Sequence, residues 1–367
     1  MKRYKLGEIC KIVSGSTPKT SIPEYWDGDI KWITPAEITD DSYIITDTVR
    51  KITKLGVEKT GLSSFPKDTV ILSSRAPIGK VAIAGCDMYC NQGFKNLVCS
   101  SIIDNKYLYW FLKGKNDYLN KLGRGATFKE ISKQIVSEIE IYLPPIEEQK
   151  AIANNLFNIK RIIELKYKEI SLFDNLIKAR IVEMFGDMTI NPNGWEKIHL
   201  GDVCDVRDGT HDSPQYYNEG YPLVTSKNVT GGRIDLTNCS LICEEDYEKI
   251  NQRSKVSIGD ILMPMIGTVG NPVIVDIEPV FAIKNVALIK FKTDSKVTNS
   301  FVKALLESDY FDNAVISKVR GGTQKFISLG DIRKLEICLP PIETQMDYES
   351  FVKQIDKSKF VKICKAI

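Results

Sequence analysis

Two short loops carry the side chains best suited to hold an anion. Arg124-Gly125-Ala126-Thr127-Phe128-Lys129 stands 196 residues before Arg320-Gly321-Gly322-Thr323-Gln324-Lys325. In each, an arginine and a lysine flank glycine and threonine. Glycine lets backbone amides approach an anion closely, and arginine forks a phosphate or the edge of a guanine. One such loop reads more simply as a solvated turn between helix and strand. Its recurrence at a matched position favours contact with phosphate or base.

The match arises because the chain is a tandem duplication. Leu143-Pro144-Pro145-Ile146-Glu147-Glu148-Gln149 returns as Leu339-Pro340-Pro341-Ile342-Glu343-Thr344-Gln345 at the same offset, and Ile131-Ser132 faces Ile327-Ser328. Leu6-Gly7-Glu8-Ile9-Cys10 answers Leu200-Gly201-Asp202-Val203-Cys204 at an offset of 194. Between these anchors the halves diverge. Ile33-Thr34-Pro35-Ala36-Glu37-Ile38 faces Val224-Thr225-Ser226-Lys227-Asn228-Val229 in pattern only. Similar frames with dissimilar interiors describe one scaffold presenting two surfaces. A period this long marks a domain duplication, since solenoid repeats run roughly 20 to 50 residues.

Each half reads as a mixed α+β globule. Val70 to Arg75 and Val81 to Ala84 have strand character around a turn, as do Asp260 to Met263 and Pro272 to Val275; helical runs follow near Lys106 to Leu122 and Asn299 to Ile316. After Pro144-Pro145 the apolar residues Ile152, Leu156, Ile159, Ile163, Ile170, Phe173, Ile177 and Ile181 mostly step by three and four. That is the seam of a coiled coil or long packed helix, with Gly186 as its stop. Forty residues of helix span ~60 Å, too long for one small core to cover. A second helix starts alike, with Tyr348, Val352 and Ile355, but has room for only ~39 Å. An antiparallel pair therefore leaves Ile152, Leu156 and Ile159 for another partner. The expected division is 1–143 and 187–339 for the globes, 144–186 for the long helix and 340–367 for the short one.

Composition excludes some classes and leaves others open. The 367 residues carry a formal net charge of +3, with 43% hydrophobic residues. Weak overall basicity does not decide on nucleic acid, which responds to local clusters of lysine and arginine. No stretch approaches the ~18 apolar residues of a membrane span, and no apolar signal region follows Met1-Lys2-Arg3-Tyr4, so no membrane and a cytoplasmic location are expected. Cys10 and Cys204 occupy equivalent apolar runs and read as small core residues. The pairs Cys86/Cys90 and Cys239/Cys243 fall at non-equivalent places, and neither His199 nor His211 completes a ligand array, so no metal is expected.

Catalytic signatures are missing. There is no phosphate-binding GxxxxGK[ST], no Rossmann glycine fingerprint, no HExxH and no GxSxG. Both LPPI segments lack the Asn or Asp and the aromatic that would flank the prolines of an adenine methyltransferase. Asp29-Ile30-Lys31 and Glu164-Leu165-Lys166 are too common a pattern to mark a nuclease centre. A binding protein without a cofactor is expected, in preference to an enzyme.

The ordered combination resembles the specificity subunits of type I restriction-modification systems. The resemblance rests on both LPPIE-x-Q segments, both Leu-Gly-acidic-aliphatic-Cys openings, and Leu176-Ile177-Lys178-Ala179-Arg180 with Met184-Phe185-Gly186-Asp187. Gly15-Ser16-Thr17-Pro18 and Asp208-Gly209-Thr210-His211 complete it, so that it covers essentially the whole chain. It implies an α+β fold of two similar target-recognition domains joined by long helices in an antiparallel coiled-coil spacer. It further implies that each domain reads one half of a split site in double-stranded DNA. The helices would recruit two methyltransferase subunits, and motor-nuclease subunits would join for cleavage.

Loop position and chemistry then nominate contacts. In the first half these are Ser16, Thr17, Lys19, Ser74, Arg75, Lys80, Asn91, Gln92, Lys95, Arg124, Thr127 and Lys129. In the second they are Thr210, His211, Asp212, Ser226, Lys227, Asn228, Lys284, Asn285, Arg320, Thr323, Gln324 and Lys325. Phe94 and Phe128 are loop aromatics that either pack their own loops or wedge beside a distorted base. A stand-alone DNA enzyme and a two-globe protein adaptor remain alternatives. The first would turn over without partner chains, and the second would bind without steep salt dependence.

Overall fold

The computed structural model describes residues 1–75, 77–125, 129–266, 269–318 and 326–364, with side chains up to residue 359. The chain divides into two compact units, Met1–Glu164 and Leu165–Ile367. Each closes on itself by pairing its opening strand with its last. Lys2–Lys5 runs antiparallel to Glu140–Leu143, and Lys197–His199 to Glu336–Cys338.

The duplicated openings have a local physical cause. In Leu6–Ile9, one turn of helix, the Glu8 carboxylate accepts the Lys5 amide at 2.9 Å while Leu6 is fully buried. Asp202 accepts the His199 amide at 3.0 Å above the buried Leu200 in the second copy. An acidic side chain here satisfies an amide that the helix start leaves without a partner. Gly7 and Gly201 let the turn press on the segments at Ser137 and Arg333.

Two sheets in each globe carry the loops of interest. In the first, Cys10–Ser14, Lys95–Cys99, Val70–Leu72, Val81–Ala84 and Ile44–Ile45 form one sheet, in that order. Trp26–Ile33 lies between Lys51–Ile52 and Tyr89–Cys90 in the other. The second globe repeats this with Asp205–Asp208, Val286–Lys290, Ile261–Pro264 and Val273–Ile274, and with Tyr221–Val224 between Ser240–Ile242 and Ala282–Ile283. The parallel pairs Ile33↔Cys90 and Val224↔Ile283 are equivalent. Val70, Leu72, Val81 and Leu97 are fully buried, as are Ile261, Ala287 and Ile289 in the second globe.

Two expectations about element length need correction. The strand beginning at Val70 ends at Leu72 and not at Arg75, because Ser73 to Arg75 leave the sheet to bond Phe94, Gly93 and Glu130. Each helical run is two helices: Asn105–Lys113 with Asn116–Leu122, and Asn299–Leu306 with Asp309–Ala314. The first run is interrupted at Gly114-Lys115, and Ser308 caps the helix that follows the second break.

The long helix spans Ile146–Phe185, 40 residues, and Gly186 stops it in the left-handed region at φ 68°. In the first unit it packs through Phe157, whose ring stacks on Tyr43 at 5.0 Å, and Lys160 donates to the Asp41 carbonyl at 3.1 Å. Ile152 is half-buried, whereas Leu156, Ile159 and Ile163 are 37%, 53% and 48% exposed. Of the three residues expected to be bare, Leu156 and Ile159 are exposed and Ile152 only partly so. Removing the Phe157 ring should cost ~1–2 kcal/mol, from the lost aromatic pair and its buried area. Faster amide exchange around 150–160 in Phe157→Ala is the expected readout.

In the second unit the C-terminal helix, Ile342–Cys364, lies antiparallel to the end of the long one. Tyr348 meets Phe185 at 5.3 Å between ring centres, Arg180 lies over Phe351 at 5.5 Å, and Lys359 bonds Asp174 at 2.8 Å. Ile177, Ile181 and Val352 pack against the core of the second globe.

The repeated glutamine explains the LPPIE-x-Q segment, the hinge that joins each globe to the helix, or strut, that follows it. Gln149 Nε2 donates to the carbonyls of Pro144 and Ile102, both at 2.9 Å, and its Oε1 accepts the Asp104 amide at 2.9 Å. Gln345 donates to Pro340 and Lys296 at 2.9 and 3.0 Å and accepts the Thr298 amide at 2.9 Å. Asp104 and Thr298 in turn cap helices. A single buried amide therefore ties the end of the globe, the start of the strut and a helix cap together.

Candidate nucleic-acid interface

Both globes bring strand-end loops together by the same backbone bonds. Ser16 donates its amide to the Cys90 carbonyl at 3.0 Å, and Asn91 donates to Ile33 at 3.2 Å. Thr210 donates to Ile283 at 3.0 Å, and Lys284 to Val224 at 2.9 Å. The first bond of each set demands glycine before it. A Cβ on Gly15 would stand 2.0 Å from the Cys90 oxygen, and one on Gly209 would stand 2.1 Å from that of Ile283. Ser16-Thr17 and Thr210-His211 are therefore equivalent, as are Asn91-Gln92 and Lys284-Asn285.

A third loop is shaped identically by different side chains. Glu37 Oε1 accepts the Thr34 amide at 2.8 Å and its hydroxyl at 2.9 Å. Asn228 Oδ1 accepts the Thr225 amide at 3.0 Å and its hydroxyl at 2.9 Å. A local acceptor three residues on holds the turn, while the residues between are left to differ.

In the first globe a fourth segment joins the cluster. Ser74 donates its amide to Gly93 at 2.7 Å and accepts that of Ile131 at 3.0 Å. Arg75 and Arg124 both pair by backbone with Glu130, and Gly93 packs beside Asn91, Pro35 and Arg75. Thr17 and Gln92 bond through their side chains. Ser16, Thr17, Asn91, Gln92, Arg75 and Arg124 thus share one loop cluster. Lys19, Lys80 and Lys129 are carried on flanking turns; the Lys80 amide bonds Ser73 Oγ at 2.9 Å, and Lys129 directly precedes Glu130.

Three proposed surface contacts prove to be internal braces. Lys95 is buried, its ammonium donating to Ser74 Oγ at 3.2 Å and Glu130 Oε1 at 3.1 Å. Ser74 is buried with it, and Asn228 is buried by its capping bonds and by donating to the Asp235 carbonyl at 3.2 Å. Phe94 is fully buried in the cluster containing Ile33 and Cys90, and so is a core residue and not a wedge. Thr127, Phe128, Arg320, Thr323, Gln324 and Lys325 lie outside the described residues.

The second globe contains a charged cluster that spacing alone does not display. Asp208 is buried at the strand end, where its carboxylate accepts from Arg253 and from His211 Nε2, the latter at 2.7 Å. The other ring nitrogen, Nδ1, lies 2.7 Å from Asn285 Oδ1. Lys284 donates to Ser213 Oγ at 2.7 Å, and Asp212 donates its amide to Thr210 Oγ1 at 3.1 Å. Ser226 is half-buried and Lys227 exposed on the Thr225–Asn228 turn. Asp208 lies in the Asp208-Gly209-Thr210-His211 segment but is absent from the contacts expected from sequence. Arg253 reaches the site from a separate helix, Glu244–Ser254, with no local signal.

Cys10, Cys90 and Cys204 belong to the packing. Cys10 and Cys204 are buried, and burial pushes the Cys90 thiol up to about 12 while Asn96 donates to its sulfur at 3.0 Å. Among the described residues no three His, Cys, Asp or Glu side chains are grouped as metal ligands, and no helix is long and apolar enough to cross a membrane.

Both halves find the same match among known proteins. A family model described as the type I restriction modification DNA specificity domain matches residues 1–172 and again 192–364. The type I restriction enzyme MjaIX specificity subunit of Methanocaldococcus jannaschii is 31% identical, covering 99% of this chain and 89% of its own length. The EcoKI specificity subunit of Escherichia coli is 22% identical over 79% of this chain and 68% of its own. The crystal structure of a type I restriction-modification S subunit from M. genitalium covers all of this chain and 91% of its own, with a TM-score of 0.58 at 17% identity. A structure described under complex assembly and conformational transition of the type I system gives 0.63 at 18% identity, covering all of this chain and 93% of its own. With both repeats matched and a relative above 30% identity along nearly its whole length, the chain belongs to the type I restriction-modification DNA specificity family.

Proposed function

We propose that the chain is the DNA-recognition subunit of a type I restriction-modification complex, each globe reading one half of a bipartite site in duplex DNA. The observation that carries this reading is the loop cluster. The same backbone bonds position it in both globes, while the residues it offers differ between Ser16-Thr17-Gln92 and Thr210-His211-Asn285. A shared frame with exchanged tips is what two different half-sites require, because base edges are read by side chains and the frame is set by the backbone. Residues 1–143 and 187–339 form the recognition domains. The long helix joins them.

The first-globe contacts are Ser16, Thr17, Arg75, Asn91, Gln92 and Arg124, with Lys19, Lys80 and Lys129 toward phosphates. The second-globe contacts are Thr210, His211, Asp212, Ser226, Lys227, Lys284 and Asn285, and Thr127, Arg320, Thr323, Gln324 and Lys325 are proposed as contacts from sequence alone. Two methyltransferase subunits carry the chemistry, and the exposed Leu156 and Ile159, with Ile152 beside them, suit apolar docking of one. Motor-nuclease subunits join for cleavage.

Exchange of Met1 to Leu143 for the same region of a paralogue tests the modular reading. One half of the methylated sequence should change and the other stay. Change in both halves, or in neither, contradicts it. Phosphate contacts also predict a steep linear fall of log affinity with log salt. A flat salt response would instead favour a protein adaptor.

A further inference from the structure

His211 sits between two hydrogen-bond acceptors, which a neutral imidazole cannot satisfy together. Nε2 is committed as a donor, because the Asp208 carboxylate can only accept and its other oxygen is taken by Arg253. Nδ1 is then the variable position. When protonated it donates to Asn285 Oδ1 at 2.7 Å, and the amide nitrogen of Asn285 faces away from the ring. When deprotonated it presents a lone pair to that oxygen at the same distance. Turning the amide over relieves the repulsion, with Asn285 Nδ2 donating to Nδ1 and Oδ1 facing away.

The backbone around this pair does not need to move. Asn285 is held in the left-handed region at φ 54°, with its amide on the Thr210 carbonyl at 3.2 Å. Only the terminal amide is left to rotate. We propose that Asn285 contacts DNA in the second half-site, and that the protonation state of His211 sets whether its amide offers donors or an acceptor. This rests on the DNA reading above. Outward donors fit guanine N7 and O6 or a phosphate, and an outward oxygen fits the amino group of cytosine or adenine.

The hydrogen-bond partners of the ring favour the protonated form. The bonds to Asn285 and Asp208 raise the imidazole above its ordinary value, while partial burial and Arg253 oppose them. Lys284, next to Asn285 in the chain, has its ammonium on Ser213, and Arg207 is occupied by Asp205 and the Arg253 carbonyl. Asp212, next in the chain, is exposed. The contribution of this cluster to stability is therefore full below the unfolded imidazole value and is lost as pH rises through the raised one. The first globe has the Thr17–Gln92 bond at the equivalent place, with no titrating group, and serves as an internal control.

The chain has only two histidines, so ring nitrogen shifts in the full chain labelled on histidine can be followed against pH, with H199Q assigning the signals. Of the two His211 ring nitrogens it is Nδ1 that should carry the titration, with a midpoint above that of an ordinary imidazole, and N285A should lower the midpoint. In parallel, the full chain selects from a randomised duplex pool at pH 6 and pH 8.5. Preference at the second half-site should change by about fivefold or more, the scale of one misplaced donor, and the first half-site should stay constant. N285D, which offers an acceptor at both pH values, should reproduce the pH 8.5 preference throughout. An unshifted midpoint in N285A, or an unchanged pH dependence in H211A or N285D, overturns the toggle. A chain that retained no duplex at either pH would overturn the DNA reading and this use of the toggle together, while the histidine titration would still decide the amide switch.

Discussion

Gln345→Leu should destabilise the second unit by about 3–5 kcal/mol, and Gln149→Leu the first by a similar amount, although neither residue touches a proposed DNA contact. Leucine fills the space of either glutamine but leaves a buried amide, Thr298 or Asp104, without its acceptor, and two carbonyls without their donors. Each unsatisfied buried group costs ~1–3 kcal/mol, against a net gain of only ~1 kcal/mol per bond made. Glutamine is used because one planar amide both donates and accepts, and here it must do both at once. Urea unfolding followed with hydrogen exchange would locate each loss. A change below about 1 kcal/mol at both positions would show that the hinge is held by something else.

Gly209→Ala should abolish recognition of one half-site, and Gly15→Ala that of the other. The added methyl would stand 2.1 or 2.0 Å from a backbone oxygen, a distance no Cβ tolerates, so the loop must part from its neighbour. Parting breaks the bond from Thr210 to Ile283 or from Ser16 to Cys90 and displaces the two tips that carry the proposed contacts. Loss of two base contacts costs ~2–6 kcal/mol at ~1–3 each. Gly114→Ala is the control: its nearest neighbour would be at 3.5 Å, and it should be neutral within ~0.5 kcal/mol. Competition binding with each half-site scrambled in turn measures the effect. Equal loss at both half-sites from either substitution would mean that the loops do not act as separate readers.

The frame of the molecule was legible because it is local and repeated. Gln149 and Gln345, Leu6 and Leu200, and the turns of Thr34 and Thr225 all appear twice in the chain, and the same bonds recur in the structure. The helix from Ile146 to Phe185 followed from its apolar spacing and its flanking proline and glycine. What escaped was set by distant partners. Lys95 reads as a surface cation until Glu130, 35 residues on, is seen to bury it. Arg253 lies 45 residues from Asp208 and carries no mark of that pairing. Phe94 reads as a loop aromatic because its strand neighbours are not adjacent in the chain. Sequence periodicity reports which face of an element is apolar, and polar cross-links between loops have no period.

Methylation-sensitive sequencing of DNA from cells carrying this chain with its methyltransferase subunit tests the central claim most directly. A bipartite methylated motif is expected, two short specified halves around an unspecified spacer, with Gly209→Ala and Gly15→Ala each relaxing a different half. A single uninterrupted motif, or methylation indifferent to the presence of this chain, would contradict it.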